Sequence, residues 1–182
     1  MTFTHENGSV TSKNNIIKIL IIGNEKVGKS SLINMYLNGK FEKDYKPTIG
    51  ISITKREFPI TKEINLTLYM LDLGGSKSFA KVRRFYYKDL KAVLILFDYS
   101  KVETLENIKE WIEEARHFIK EASVPYILIG NKIDLLENGD PIKTRAKNLA
   151  DQYKFTYFET SALTGEGIDE LFIYLASNFI NI

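Results

Sequence analysis

A nearly continuous aliphatic run at residues 16–22 (IIKILII) leads straight into GNEKVGKS at residues 23–30, and this pair constrains the fold most. The run is too short for a stable helix, and apolar side chains at almost every position suit a strand covered on both faces. The second segment fits G-x-x-x-x-G-K-[ST], a glycine-rich loop joining a strand to a helix. Gly23 and Gly28 let the backbone wrap so that successive N–H groups point at phosphate oxygens, beside the N-terminus of the next helix. In such a loop Lys29 reaches the outer two phosphates, and the Ser30 hydroxyl ligates a magnesium ion that bridges them. The loop alone does not separate ATP from GTP, or a kinase from a switch.

Residues 66–71 (LTLYML), 92–97 (AVLILF) and 126–129 (YILI) repeat the strand character of the first run. Residues 103–121 carry Leu105, Ile108, Trp111, Ile112, Ala115 and Phe118 at three- and four-residue steps, which predicts one amphipathic helix. Trp111 then belongs to the core or its rim. Thr164, Gly165 and Gly167 announce a last helix with Ile168, Leu171, Phe172, Leu175 and Phe179 on one face. Strands alternating with helices predict a mostly parallel sheet joined by right-handed crossovers, with ligands at the carboxyl ends of the strands. Within residues 51–71 two extended stretches flank the turn Thr61, Lys62, Glu63 with no helix between them, which predicts an antiparallel hairpin. The expected fold class is α/β: six strands, one of them an antiparallel edge strand, with helices on both faces.

A chain of 182 residues, 44% hydrophobic, is enough for one domain with a substantial core. Residues 1–15 (MTFTHENGSVTSKNN) read as a flexible polar tail, leaving residues 16–182 for the domain. The net charge is +2 with both signs interspersed, so nucleic acid is not the expected ligand. There is no cysteine, which excludes disulfides, thiolate metal sites, prenylation and palmitoylation of this chain and suits a reducing interior. Thr2 in place of glycine excludes myristoylation, and no apolar run approaches the roughly 18 residues of a membrane span. The expected setting is the cytoplasm, with membrane association supplied by partners or by a tail outside this sequence. His5 and His117, the only histidines, read as surface residues rather than catalytic bases.

The base of the nucleotide is indicated further along. Asn131, Lys132 and Asp134 form NKID directly after the YILIG strand. A carboxylate there accepts both the ring N1–H and the exocyclic N2–H of guanine, a donor pair adenine lacks. Asn131 would tie this loop to the phosphate loop, and the Lys132 stem would cover one face of the base. ETSA at residues 159–162 follows another short extended stretch, residues 156–158, and the Ala162 N–H is placed to meet the guanine carbonyl oxygen.

With phosphate loop, switch threonine, DxxG, NKxD and SA motifs in order over residues 16–180, the chain resembles a small GTPase of the Ras superfamily, which has the P-loop NTPase fold. It is most similar to the Rab branch through KPTIG at residues 46–50, FYYKD at residues 85–89 and the EWIEEA helix, whereas LDLGG at residues 71–75 is Arf-like. The resemblance implies that Thr48 ligates magnesium and senses the third phosphate, that Phe41 lies against the guanine and that Tyr45 closes over the phosphates. It makes Asp72 an outer-sphere magnesium residue and gives the Gly75 N–H to the third phosphate. By the same match GTP or GDP is held by Gly23, Glu25, Lys26, Val27, Gly28, Lys29, Ser30, Ser31, Phe41, Tyr45, Thr48, Gly75, Asn131, Lys132, Asp134, Leu135, Ser161, Ala162 and Leu163. Mg2+ falls to Ser30, Thr48 and Asp72, and catalysis to Lys29, Thr48, Gly75 and Ser76.

Three residues depart from the family pattern. Ser76 stands where the family has the glutamine that orients the attacking water, so intrinsic hydrolysis is expected to be slow. Glu25 replaces a glycine of Ras in the phosphate loop; aimed at the third phosphate it would weaken binding, and turned outward it would not. Leu163 removes a lysine near the base. The leading expectation is a monomeric GTP/GDP switch served by an exchange factor, an activating protein and effectors. A hydrolysis-deficient, constitutively GTP-bound interaction module is the second reading, and a P-loop kinase or ATPase the third.

Overall fold

A computed structural model describes residues 13–42, 48–59, 64–76, 79–137 and 140–180. In chain order the elements are β1 (Lys13–Gly23), α1 (Lys29–Asn38), β2 (Ile51–Pro59), β3 (Ile64–Leu73) and the single-turn α2 (Ala80–Arg83). They continue with β4 (Ala92–Asp98), α3 (Val102–Glu106), α4 (Ile108–Phe118), β5 (Tyr126–Asn131), α5 (Pro141–Tyr153), β6 (Thr156–Thr160) and α6 (Ile168–Ile180). The strands form one sheet in the order β2-β3-β1-β4-β5-β6. β2 and β3 pair antiparallel as a hairpin at one edge, and every other neighbouring pair is parallel.

Side chains alternate across a strand, so an aliphatic run feeds two apolar layers at once. Ile17, Ile19 and Ile21 of β1 pack in one layer with Leu32 and Ile33 of α1 and with Leu171, Phe172 and Leu175 of α6. Leu20 and Ile22 pack in the other with Ile108, Trp111, Ile112 and Ala115 of α4 and Ile142, Ala146 and Ala150 of α5. Helices therefore cover both faces of the sheet. Asp140 opens α5 by accepting from the Ile142 N–H at 2.9 Å, with Pro141 in the first turn where its missing N–H is harmless.

Several boundaries differ from those expected. β1 begins at Lys13 rather than Ile16, because Lys13, Asn14 and Asn15 extend the parallel pairing with β3 opposite Ile64, Asn65 and Leu66. Backbone pairing does not require apolar side chains, so the polar composition hid these residues. The rest of the expected tail, residues 1–12, and the turn at residues 61–63 lie outside the described residues, as does the Phe179 side chain. The single helix expected at residues 103–121 is two helices separated at Asn107, whose ψ of −7° departs from the α spiral. It ends at Phe118 because Ile119 turns extended and buries itself before β5.

Candidate functional site

The carboxyl ends of the parallel strands gather the loops singled out in the sequence. The phosphate loop follows β1, Asp72 lies at the end of β3, Asn131 closes β5 and Thr160 closes β6. β2 runs the other way, so its first residue, Ile51, pairs with Leu73 and brings the Thr48 segment to the same edge. A cavity of about 820 Å3 opens there, large enough for a small-molecule cofactor. The phosphate loop, Phe41, Thr48, Gly75, the NKID loop and the residues after β6 form its wall.

At its phosphate end, Gly28 has φ of 99°, and a Cβ there would lie 2.2 Å from Asn131 Nδ2, so both conformation and space demand glycine. Lys29 is buried, and its Nζ donates to the carbonyls of Gly23 and Asn24, each at 2.9 Å. Burial pushes the Lys29 ammonium down to about 8, against the upward pull of the Asp72 and Glu25 carboxylates. A further anion in the cavity would favour its charged form. Glu25, Lys26 and Ser31 also line the wall, with Glu25 and Lys26 exposed.

Three oxygens converge beside Lys29. Ser30 Oγ lies 2.9 Å from Thr48 Oγ1, and both hydroxyls bond Asp72 Oδ2, that of Thr48 at 3.3 Å. The other carboxylate oxygen, Asp72 Oδ1, is buried with no hydrogen-bond partner. Burial pushes the Asp72 carboxyl upward, although Lys29 and the Ser30 and Thr48 hydroxyls oppose the shift. A bare buried oxygen among hydroxyls is a donor set suited to a hard cation such as Mg2+. Among the described residues no group of three or more His, Cys, Asp or Glu side chains could hold a metal, so phosphate oxygens and water would complete the shell.

The loop after β3 is tied to its surroundings at several points. The Gly74 N–H donates to Gly50 O at 2.9 Å, joining it to the Thr48 segment. Gly75 lies against the phosphate loop so closely that a Cβ would meet Asn24 C and Glu25 N at 2.5 Å. Ser76 stands outside the cavity wall, with its carbonyl accepting from Arg83 Nη1 at 2.7 Å.

At the base end, Asn131 Nδ2 donates to Val27 O at 2.8 Å and so links the two loops. Asp134 is exposed on the wall and accepts from Ser161 Oγ, which orients the carboxylate. Lys132 has φ of 66°, and its ammonium pairs with Asp98 Oδ2 at 2.6 Å, leaving the stem along the cavity. Leu135 and Leu163 form an exposed apolar rim.

Some placements differ from expectation. Gly23, Val27 and Ser161 stand behind the wall rather than on it; they act through bonds to Lys29, Asn131 and Asp134. The Ala162 N–H, expected at the guanine carbonyl, donates to Asn131 Oδ1 at 3.1 Å, although Ala162 itself lines the cavity. Tyr45 lies outside the described residues. Sequence reasoning missed Asp98, the last residue of β4, whose place directly after the aliphatic run at residues 92–97 was the available signal, and the roles of Asn24, Arg83 and Trp111, whose partners lie far along the chain.

A family model described as the Ras family matches residues 18–181, a span that holds every loop of this cavity. The chain belongs to the Ras family. Similar Ras-family relatives are Rab proteins. Ras-related protein Rab-4 of Dictyostelium discoideum is 32% identical over 158 residues, which cover 87% of this chain and 76% of the relative. Rab-34 of Sus scrofa is 31% identical over 175 residues, covering 95% and 66%. RABG3f of Arabidopsis thaliana is 31% identical over 172 residues, covering 90% and 82%. The Rab branch is thus the right one, and the Arf-like LDLGG stretch is a local departure. As a Ras-family protein the chain is a GTP-binding small GTPase switch that works with Mg2+ and with regulators and effectors of that general kind. Among the described residues, no helix is long and apolar enough to cross a membrane.

Proposed function

We propose that this GTPase hydrolyses GTP slowly unaided and depends on a partner to complete its catalytic site. The observation that carries the reading is Ser76, which replaces the glutamine and stands outside the cavity wall beside an otherwise equipped phosphate site. Asp134, Lys132, Phe41 and the Leu135–Leu163 rim hold the guanine, with Ser161 and Asn131 fixing the loops behind them. Lys29 and the phosphate-loop N–H groups hold the phosphates. Ser30, Thr48 and Asp72 hold Mg2+, which when bound neutralises charge on the outer phosphate oxygens. Water attacks the third phosphorus, the bond to the oxygen bridging it to GDP breaks, and inorganic phosphate leaves. Lys29 and the Gly75 N–H stabilise the charge that shifts onto those oxygens. A serine side chain is shorter than glutamine's and carries its donor and acceptor on one oxygen instead of two separated atoms, so the water is poorly oriented.

Loss of the third phosphate frees Thr48 and Gly75 together, since the Gly74–Gly50 bond couples their segments. The protein acts as a cytoplasmic monomer whose exchange factor, activating protein and effectors meet these segments, and partners bring it to membranes.

Single-turnover phosphate release from GTP-loaded protein tests the central point. Ser76→Gln is expected to release phosphate about tenfold faster or more, equivalent to about 1.4 kcal/mol off the barrier. An unchanged rate with GTP bound would remove Ser76 from the explanation. A second reading, the constitutively GTP-bound module, is favoured by Glu25, which lines the cavity and whose charge acts on Lys29. No phosphate release from either protein while GTP stays bound would favour it.

A further inference from the structure

The geometry points to Arg83 as a positioning residue that clamps residues 74–76 against α4 and, through Trp111 and Asn24, couples that loop to the phosphate loop. Arg83 lies at the end of α2 with only 3% of its side chain exposed. Its guanidinium is engaged on every side. Nε and Nη2 donate to the two carboxylate oxygens of Glu114, each at 2.7 Å, in a bidentate pair. Nη1 donates to Gly74 O at 3.1 Å and to Ser76 O at 2.7 Å. The plane sits over the Trp111 ring, 4.7 Å from its centroid. Tyr87 completes the cluster by donating from its hydroxyl to Glu114 Oε1 at 2.8 Å.

Two features turn this from a packing detail into a coupling device. First, Gly74 O and the Gly75 N–H belong to one peptide unit. In a trans peptide these groups point in opposite directions, so a carbonyl drawn to Arg83 aims the N–H away from Arg83. Gly75 lines the cavity and lies against the phosphate-loop backbone, the side on which the proposed function puts the outer phosphates. Second, the Trp111 indole N–H donates to Asn24 Oδ1 at 2.8 Å, and Asn24 O accepts from Lys29 Nζ at 2.9 Å. The same α4 face therefore grips both walls of the phosphate site. A buried ion pair is weak support for stability but a good device for fixing one geometry. Burial alone would raise the Glu114 carboxyl; the bonds and charge of Arg83 and the Tyr87 hydroxyl instead hold it below the usual range.

The inference rests on the reading that Gly75 meets the third phosphate. Arg83 then contributes to GTP binding but not to GDP binding, and the environment of Trp111 changes with the nucleotide. Trp111 is the only tryptophan of the chain, so its emission reports on the clamp without labelling.

The test uses the full chain, wild type and Arg83→Lys, with equilibrium affinities for GDP and for a non-hydrolysable GTP analogue, Trp111 emission in both states, and a thermal melt. Arg83→Lys keeps the charge and loses the fork. The analogue-to-GDP affinity ratio is expected to fall about fivefold to tenfold with GDP affinity kept, and the emission difference of the wild type is expected to shrink in the variant. A ratio unchanged in a folded variant, or both affinities falling together, overturns the clamp and leaves Arg83 a structural residue. If Arg83→Lys does not melt cooperatively, Glu114→Gln decides on the same ratio, and Trp111→Phe isolates the bond to Asn24. A wild-type protein that binds GDP but does not distinguish the analogue overturns the Gly75 reading beneath it.

Discussion

Asp134→Asn should lower GTP affinity at least about a hundredfold and create affinity for xanthosine triphosphate. The wild-type carboxylate is held by Ser161 Oγ and lines the base end of the cavity, where in the proposed function it accepts both N–H donors of the guanine edge. Charge-assisted bonds contribute about 1.5–3 kcal/mol each, so losing one and weakening the other exceeds about 2.8 kcal/mol, or two decades. An asparagine amide offers one acceptor and one donor. Xanthine presents a carbonyl where guanine has its amine, and so pairs with that arrangement. Competition of both triphosphates against a fluorescent GDP gives the ratio directly. Retention of GTP affinity within a few fold, with no xanthosine triphosphate binding, would remove Asp134 from the base site.

Gly75→Ala should abolish the protein's ability to distinguish GTP from GDP and reduce hydrolysis by about 10²–10³, the loss typical of removing one preorganised N–H donor. The cause is space. A Cβ on Gly75 would lie 2.5 Å from Asn24 C and Glu25 N and 2.6 Å from Gly23 O, all of them backbone atoms of the phosphate loop. Backbone held by a buried strand does not yield, so the loop after β3 must retreat and take its N–H out of reach. GDP affinity should change little, because GDP has no third phosphate. Gly39→Ala supplies the contrast in space, since a Cβ there meets nothing within 4 Å; its left-handed backbone, φ 61°, costs the alanine about 1–2 kcal/mol of stability but leaves nucleotide discrimination intact. Parallel titrations with GDP and a non-hydrolysable GTP analogue, followed by single-turnover assays, measure both effects. Normal hydrolysis by Gly75→Ala would show that Gly75 lies away from the reacting phosphate.

Much of this arrangement was legible in the sequence because it is written in local patterns. The aliphatic runs of β1 and β4 announce strands buried on both faces, and GNEKVGKS between β1 and α1 announces a phosphate loop. The spacing of NKID after β5 and ETSA after β6 placed both loops at the same end of the sheet. What escaped depends on contacts between residues distant in the chain. Nothing local to Arg83 tells that it is buried, because its neutralising partners, Glu114 and the carbonyls of Gly74 and Ser76, come from another helix and another loop. The Asn24–Trp111 bond joins residues far apart in sequence, and neither residue type is diagnostic alone. Helix patterning predicted the buried face of α4 correctly but not the break at Asn107, since periodicity of apolar residues continues across a local change in ψ. Nor does composition reveal that Lys13, Asn14 and Asn15 pair with β3, because that pairing uses only backbone groups.

The central claim is that the cavity selects a guanine nucleotide and holds its phosphates with a magnesium ion. Calorimetric titration of the nucleotide-free protein with GTP and with ATP, each with Mg2+ and with excess chelator, tests it most directly. Saturable binding of GTP that weakens when Mg2+ is removed, with no binding of ATP at the same concentrations, is the predicted result. Equal binding of ATP, or GTP binding indifferent to Mg2+, would contradict the roles given to Asp134 and to the Ser30, Thr48 and Asp72 oxygens.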